Sequence, residues 1–476
     1  MTAVLEPRTA ATAGAALDVA PDTGAHVVRL DQLPEAPRNP LPYRQRLAAV
    51  KSYHTGTEKL RDAGGPVTRI VLAPRWLMAP IVLATSPQAI RDVLAVRDGT
   101  VDKMSPVFAE LRALLGENLV NLPHDRWLPR RRTIQPAFTK QRIAQLGGHA
   151  TAAAASVVRG WRDGDEVDLG AQARTLTMRA LGQSVFGIDL EERAEQIEEH
   201  LHTAMTYAVR RALRPVRPPA WLPTAGRRRA QRASAALRAL ADDILQQCRA
   251  HPEREAPLVQ ALIAATDPVT GRRLTDREIC DELIIFLFAG HDTVATTLTH
   301  ALWQLGRHPQ IQQRVAEEVG QLGARPLTGQ DLGALNYTAQ VVKETLRLCP
   351  PAPTGTRTAT RDLNVGGYRV PAGTTLAFGR MAVQRDPALW DDPLVFDPDR
   401  FAPGRAAGRD RWQYLPFGGG PRSCIGDHFA MMEATLALAT LIREVDIESL
   451  EESFPLAVHF TLVADGPIPA RIRRRR

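Results

Sequence analysis

The chain has 476 residues, 44% hydrophobic and 24% charged, proportions that mark a globular protein and exclude a fibrous or wholly disordered one. Its net charge of +8 raises nucleic acid as a partner, but the arginines are scattered over 130–132, 210–232 and 471–476 with no aromatic stacking motif among them, so no nucleic-acid site is expected. Four cysteines supply no disulfide framework, and no run reaches the roughly eighteen apolar residues of a membrane span, so the expectation is a soluble, cytoplasmic protein without a transmembrane anchor.

In chain order, residues 1–30 are rich in Ala and Thr, are broken by Asp18 and Asp22, and lack an apolar signal core; they are expected to be disordered. Two β-branched runs, Val67 to Leu72 and Met78 to Thr85, predict a hairpin in a β-rich part near 65–85. A helical body is expected over 87–350, interrupted by a loop at Arg214 to Pro223. Within it, Asp276 to Arg307 predicts one long helix, with Thr275 as N-cap and Glu278 at the capping-box position. Its middle, Ile284 to Gly290, is apolar on every side and must be buried. A second β-rich part is expected near 357–380, including a hairpin over Leu363 to Thr374. A glycine-rich loop at 417–426 then precedes a helix, Asp427 to Arg443, read as amphipathic, and 457–463 is strand-like.

That loop, Phe417-Gly-Gly-Gly-Pro-Arg-Ser-Cys-Ile-Gly426, fits F-x-x-G-x-R-x-C-x-G at every fixed position, a coincidence expected roughly once in ten thousand chains of this length. An isolated cysteine is more often a buried structural thiol, and Cys248, Cys280 and Cys349, with no C-x-x-C spacing, are expected to be plain core or surface thiols. Cys424 differs, because turn amides and a following helix N-terminus can stabilise its thiolate as a metal ligand. The flanking glycines let backbone approach a flat cofactor, and Arg422 can meet an anionic group on it. The segment resembles the haem-binding loop of the cytochrome P-450 family, with Cys424 as axial ligand to the haem iron and Phe417 and Gly426 beside the haem.

The resemblance extends over nearly the whole chain. It implies the P-450 fold, mainly α with small β-sheets, as a single large catalytic unit over 31–476. Ala289-Gly-His-Asp-Thr293 matches the family's A-G-x-D/E-T element, in which Asp292 and Thr293 relay protons to bound oxygen, Ala289 faces the haem, and Gly290 leaves room beside it. Taken alone, Thr293 could equally bond back to its own helix and Asp292 could cap a buried arginine. His291 is read as a satisfied polar residue rather than a second iron ligand. Trp127 and Arg131, Arg357, and Arg422 match the family's ligands to the haem propionates, and Glu344, Arg347 and Arg400 match its structural Glu–Arg–Arg cluster. Gln384 stands where many relatives carry a histidine and is left out of the site.

The resemblance implies a monooxygenase containing haem b (iron protoporphyrin IX). It would place one atom of O₂ into a lipophilic substrate with electrons drawn ultimately from NAD(P)H. The chain carries no flavin or nicotinamide module, so a ferredoxin and its reductase are the implied partners, with the cationic surface as a docking aid for an acidic donor. A monomer is expected. The sequence looks most like soluble actinobacterial members of the eukaryote-like branch that oxidise terpenes, with fatty acyl or steroid substrates close behind. Two alternatives stay open: a peroxide-using or isomerising haem-thiolate enzyme that needs no partner, and a non-catalytic haem-binding protein.

Overall fold

The computed structural model describes residues 29–475 apart from 53–54, 213, 215–217, 220 and 459. Most of the expected N-terminal disorder therefore lies outside the described residues, as does much of the Arg214 to Pro223 loop; Leu30 already opens a short 3₁₀ turn, Leu30–Gln32.

The long helix spans Asp276–Arg307, the bounds its sequence predicts. Thr275 and Glu278 form the reciprocal capping box: the Glu278 amide donates to the Thr275 hydroxyl at 3.3 Å, and the Thr275 amide to the Glu278 carboxylate at 2.9 Å. Every residue from Ile279 to Phe288 is buried, because helices Leu169–Leu181, Ala225–Ala250, Asn336–Leu348 and Asp427–Glu444 pack around it. Two buried acids on its first turns are paired, Glu282 with Arg130 at 2.9 Å and Asp281 with Arg238 at 2.8 Å, which is what makes charge tolerable there.

One local expectation changes, and two others gain detail. The helix after the cysteine loop runs Asp427–Glu444 but is not amphipathic; Met432 to Ile442 are buried without exception, because other helices pack on all its sides. The 87–350 segment is not wholly helical: Val101–Asp102 and Glu166–Asp168 are short strands, too brief for a periodic signal and defined only by their distant partners. At Gly290 the space opened by a missing side chain is filled on one side by packing, since a Cβ there would meet Leu181 Cδ1 at 2.7 Å.

Both predicted hairpins form, Val67–Ile70 with Ile81–Ala84 and Leu363–Val365 with Tyr368–Val370, the second turning through Gly366 and Gly367 at φ 58° and 87°. The first belongs to a five-stranded sheet continued by Thr375–Gly379, Thr354–Ala359 and Val101–Asp102. Near the C-terminus, Leu456–Val458 and Leu462–Ala464 make a small antiparallel hairpin whose tip reaches the long helix. Among the described residues no helix is long and apolar enough to cross a membrane.

Candidate active site

A cavity of about 1070 Å³ lies between the long helix and the cysteine loop. The helix presents Phe286, Ala289, Gly290 and Thr293 to it, and the loop presents Phe417, Cys424 and Gly426. The loop is held by a bond from the Cys424 amide to the Phe417 carbonyl at 2.9 Å. Gly418 and Gly420 adopt left-handed φ of 72° and 69°, and a Cβ on Gly420 would strike the Leu94 carbonyl oxygen at 1.8 Å. Only glycine satisfies both demands at 420.

Cys424 is exposed and lines the cavity. Burial in the surrounding protein pushes its thiol up; the Gly426 amide and the cations Arg131 and Arg380 pull the other way, and Asp427 adds to the rise. The other three cysteines are buried, which settles them as core thiols.

Seven cations line the same cavity: Arg142 and Arg254, and the five considered next, Lys103, Arg131, Arg357, Arg380 and Arg422. Arg422 pairs with Asp102 at 2.6 Å, donates to the Leu122 carbonyl at 3.0 Å and stacks 4.5 Å over the Trp127 ring. Lys103, Arg131, Arg357 and Arg380 donate hydrogen bonds only to backbone, and three of them also lie over aromatic rings, Lys103 over Phe108 at 5.4 Å and Arg357 and Arg380 over Phe378 at 5.4 and 5.1 Å. Lys103 donates to the Val120 carbonyl at 2.6 Å, Arg131 to Ser423 at 3.2 Å, Arg357 to Thr356 at 2.7 Å, and Arg380 to Ala352. Among the described residues no carboxylate forms an ion pair with any of these four, and Arg380 Nε is buried with no partner. Burial pulls Arg357 down to about 9 and Arg380 and Arg422 to about 10; Arg422 and Arg380 add their repulsion at Arg357. Lys103 is lowered well below its ordinary value by burial and by the same three arginines. The three arginines stay charged at neutral pH, so the cluster lacks anions. A flat group bearing two carboxylates, with a metal offered to the sulfur, fits that deficit.

On the opposite wall Thr293 Oγ donates to the Ala289 carbonyl at 2.7 Å. The back-bond anticipated as the plain alternative is therefore present, yet a hydroxyl used as a donor still accepts at its oxygen, and that oxygen belongs to a cavity-lining residue. Asp292 does not line the cavity. Its carboxylate accepts from the Thr461 hydroxyl rather than capping an arginine, and burial raises it above the usual carboxylate range. His291 points elsewhere: its ring nitrogens meet Thr177 Oγ at 2.8 Å and Glu198 Oε1 at 2.9 Å, the satisfied histidine expected.

Behind the cysteine loop, Arg347 holds Glu344 through two bonds of 2.7 and 2.8 Å, and Arg400 Nε stands 3.4 Å from the same carboxylate. Gln384 is fully buried: it donates to the Leu346 and Arg347 carbonyls at 2.9 and 3.0 Å and accepts from the Leu415 amide at 2.8 Å. It ties the end of helix Asn336–Leu348 to the segment leading into the cysteine loop. Sequence reasoning missed Lys103, Arg380 and Thr461. No local motif marks them, and only the fold brings them to the site.

A helical body around an apolar chamber, with one open thiol and surplus cations on one wall and polar residues of a buried helix on the other, has the donor set that a dianionic, metal-bearing redox cofactor would need. Comparison makes the class specific: residues 34–469 match the cytochrome P-450 family, and the chain belongs to it. It is 33% identical over 86% of its length to cyclooctat-9-en-7-ol 5-monooxygenase of Streptomyces melanosporofaciens, covering 88% of that protein. Pentalenene oxygenase of Streptomyces avermitilis is 32% identical over 83% of this chain and 88% of its own, and cyclooctatin synthase of S. melanosporofaciens is 36% identical over 80% and 82%. The haem domain of cytochrome P-450DA shares the fold, with a TM-score of 0.79 at 24% identity over 93% of this chain and 98% of that one. The chain is thus a haem monooxygenase, using O₂ and electrons derived from NAD(P)H.

Proposed function

We propose that this monooxygenase oxidises a terpenoid, with haem b held by Cys424 and receiving electrons from a ferredoxin and its reductase. The observation that carries the assignment is the convergence on one cavity of the Cys424 thiol, the anion-deficient cations and Thr293. Bound there, haem supplies the capacity to activate O₂ for insertion into an unactivated bond.

The chain's own residues do the rest. Arg131, Arg357 and Arg422, joined by Lys103 and Arg380, would hold the two propionates, while the Gly426 amide and nearby cations favour the thiolate. Ala289 gives a flat wall beside the haem plane. Thr293 presents a hydroxyl oxygen that can accept and pass on a proton, and Asp292, one residue earlier and off the cavity, is the acid that resupplies it. Val107, Phe108, Leu181, Phe286, Val458 and Phe460 make an apolar enclosure that excludes water and suits a hydrocarbon skeleton. The terpene-named relatives point the same way. The intact Asp292–Thr293 pair favours O₂ over partner-free use of peroxide.

The test has two stages. The reduced protein exposed to carbon monoxide should show the strongly red-shifted Soret band of thiolate ligation, and an imidazole-type band would remove Cys424 from the assignment. Sesqui- and diterpene hydrocarbons should then shift the ferric spin state and be oxygenated with NADPH, ferredoxin and reductase. Turnover of fatty acids or steroids alone would replace the substrate class.

A further inference from the structure

Asp292 is held by a residue that no local motif marks. Thr461 lies 169 positions further on, at the tip of the hairpin formed by Leu456–Val458 and Leu462–Ala464, and its hydroxyl donates to Asp292 Oδ2. The tip is pinned on both sides of that hydroxyl. The Leu462 amide donates to the Pro351 carbonyl at 2.8 Å, and the Phe460 ring meets Phe288 of the long helix edge-on at 5.4 Å. Thr461 is 4% exposed and Leu462 fully buried, so the hydroxyl comes from a packed turn and not from a loose end.

We infer that Thr461 is a positioning residue for the proton-supplying acid: it fixes the orientation of the Asp292 carboxyl and favours its ionised form. A hydrogen bond donated to a carboxylate stabilises the charged state, whereas burial works against it. The remaining groups facing Asp292 are few. His291 on its own helix and Arg174 on helix Leu169–Leu181 favour ionisation, and Glu198 on helix Ala194–Ala212 opposes it. None of the three forms a hydrogen bond or ion pair with Asp292 among the described residues, since His291 and Arg174 both turn to Glu198, at 2.9 and 3.7 Å. Thr461 is therefore the direct contact that opposes desolvation. The same tip lines the cavity through Val458 and Phe460, which places the hold on Asp292 beside the substrate chamber. The inference rests on Asp292 serving the oxygen side, but its test does not need a substrate.

The experiment is an infrared pH titration of the haem-loaded resting protein, with the protonated Asp292 carbonyl band assigned by its loss in Asp292→Asn. Thr461→Val keeps the shape and removes the donor; it should move the titration midpoint up by about one pH unit or more. Thr461→Ser should return it to the wild-type value. The carbon monoxide spectrum of each variant checks that the site is folded. An unchanged midpoint in the valine variant, a serine variant that stays shifted, or the absence of any Asn-sensitive band would overturn the inference, while leaving the terpenoid assignment to its own spectral and turnover tests.

Discussion

Replacing Arg347 with alanine should cost the protein its haem and most of its stability. Arg347 is the largest fully buried side chain among the described residues, and it makes five hydrogen bonds: two to Glu344 and three to the Gln384, Pro393 and Val395 carbonyls at 2.8, 2.7 and 3.3 Å. Without it, Glu344 keeps the Asp397 amide at 3.0 Å and Arg400 at 3.4 Å, too little for a fully buried carboxylate. Breaking a buried pair from one side costs about 3–5 kcal/mol. Exposure of the pair is nil, so solvent screening does not reduce that figure. The loss approaches the whole of a typical stability of roughly 5–15 kcal/mol once the orphaned carbonyls are included. Because Gln384 bonds to the Arg347 carbonyl and to Leu415, the disturbance passes into the cysteine loop. Urea unfolding followed by tryptophan fluorescence, with haem content read on the same samples, measures both effects. Glu344→Gln combined with Arg347→Met should recover part of the loss, since neither buried charge is then left alone. A haem-loaded Arg347→Ala protein within about 1 kcal/mol of wild type would refute the reasoning.

Cys424→Ser should abolish the red-shifted carbon monoxide band while leaving a folded protein, as judged by its far-ultraviolet dichroism. Thr293→Ala should raise the share of NADPH recovered as hydrogen peroxide several-fold at the expense of product; unchanged coupling would make the Ala289 back-bond its whole role. Glu433 is fully buried with neither carboxyl oxygen bonded, and burial raises it well above its ordinary value. The folded state therefore favours the protonated form, a preference fully present below the unfolded value of about 4.3 and lost by up to about 1.4 kcal/mol per pH unit as pH rises from there toward the folded value. Glu433→Met should remove that slope, so urea midpoints compared at pH 5 and pH 8 should draw closer together than in wild type.

What the sequence reveals about this site depends on how far apart its parts lie along the chain. The capping box of Thr275 and Glu278, the Glu344–Arg347 pair and the cysteine loop are each complete within ten residues, and each forms as the local pattern implies. The Asp427–Glu444 helix departs from its local pattern for the opposite reason: its sequence shows composition but not how many neighbours will cover it, and the fold covers every side of 432–442. Lys103, Arg380 and Thr461 belong to three separate segments with no spacing between them to detect. Arg380, at the end of strand Thr375–Gly379, comes to the cavity because that strand pairs with Thr354–Ala359 on one side and Ile81–Ala84 on the other; Lys103 comes because Val101–Asp102 closes the same sheet. The sheet therefore does more than brace the helices. Three of its strands, one edge and two inner, deliver Asp102, Lys103, Arg357 and Arg380 to one place, and under the proposed function that gathered charge, expensive to bury without anions, would couple the folding of this corner to the binding of the cofactor.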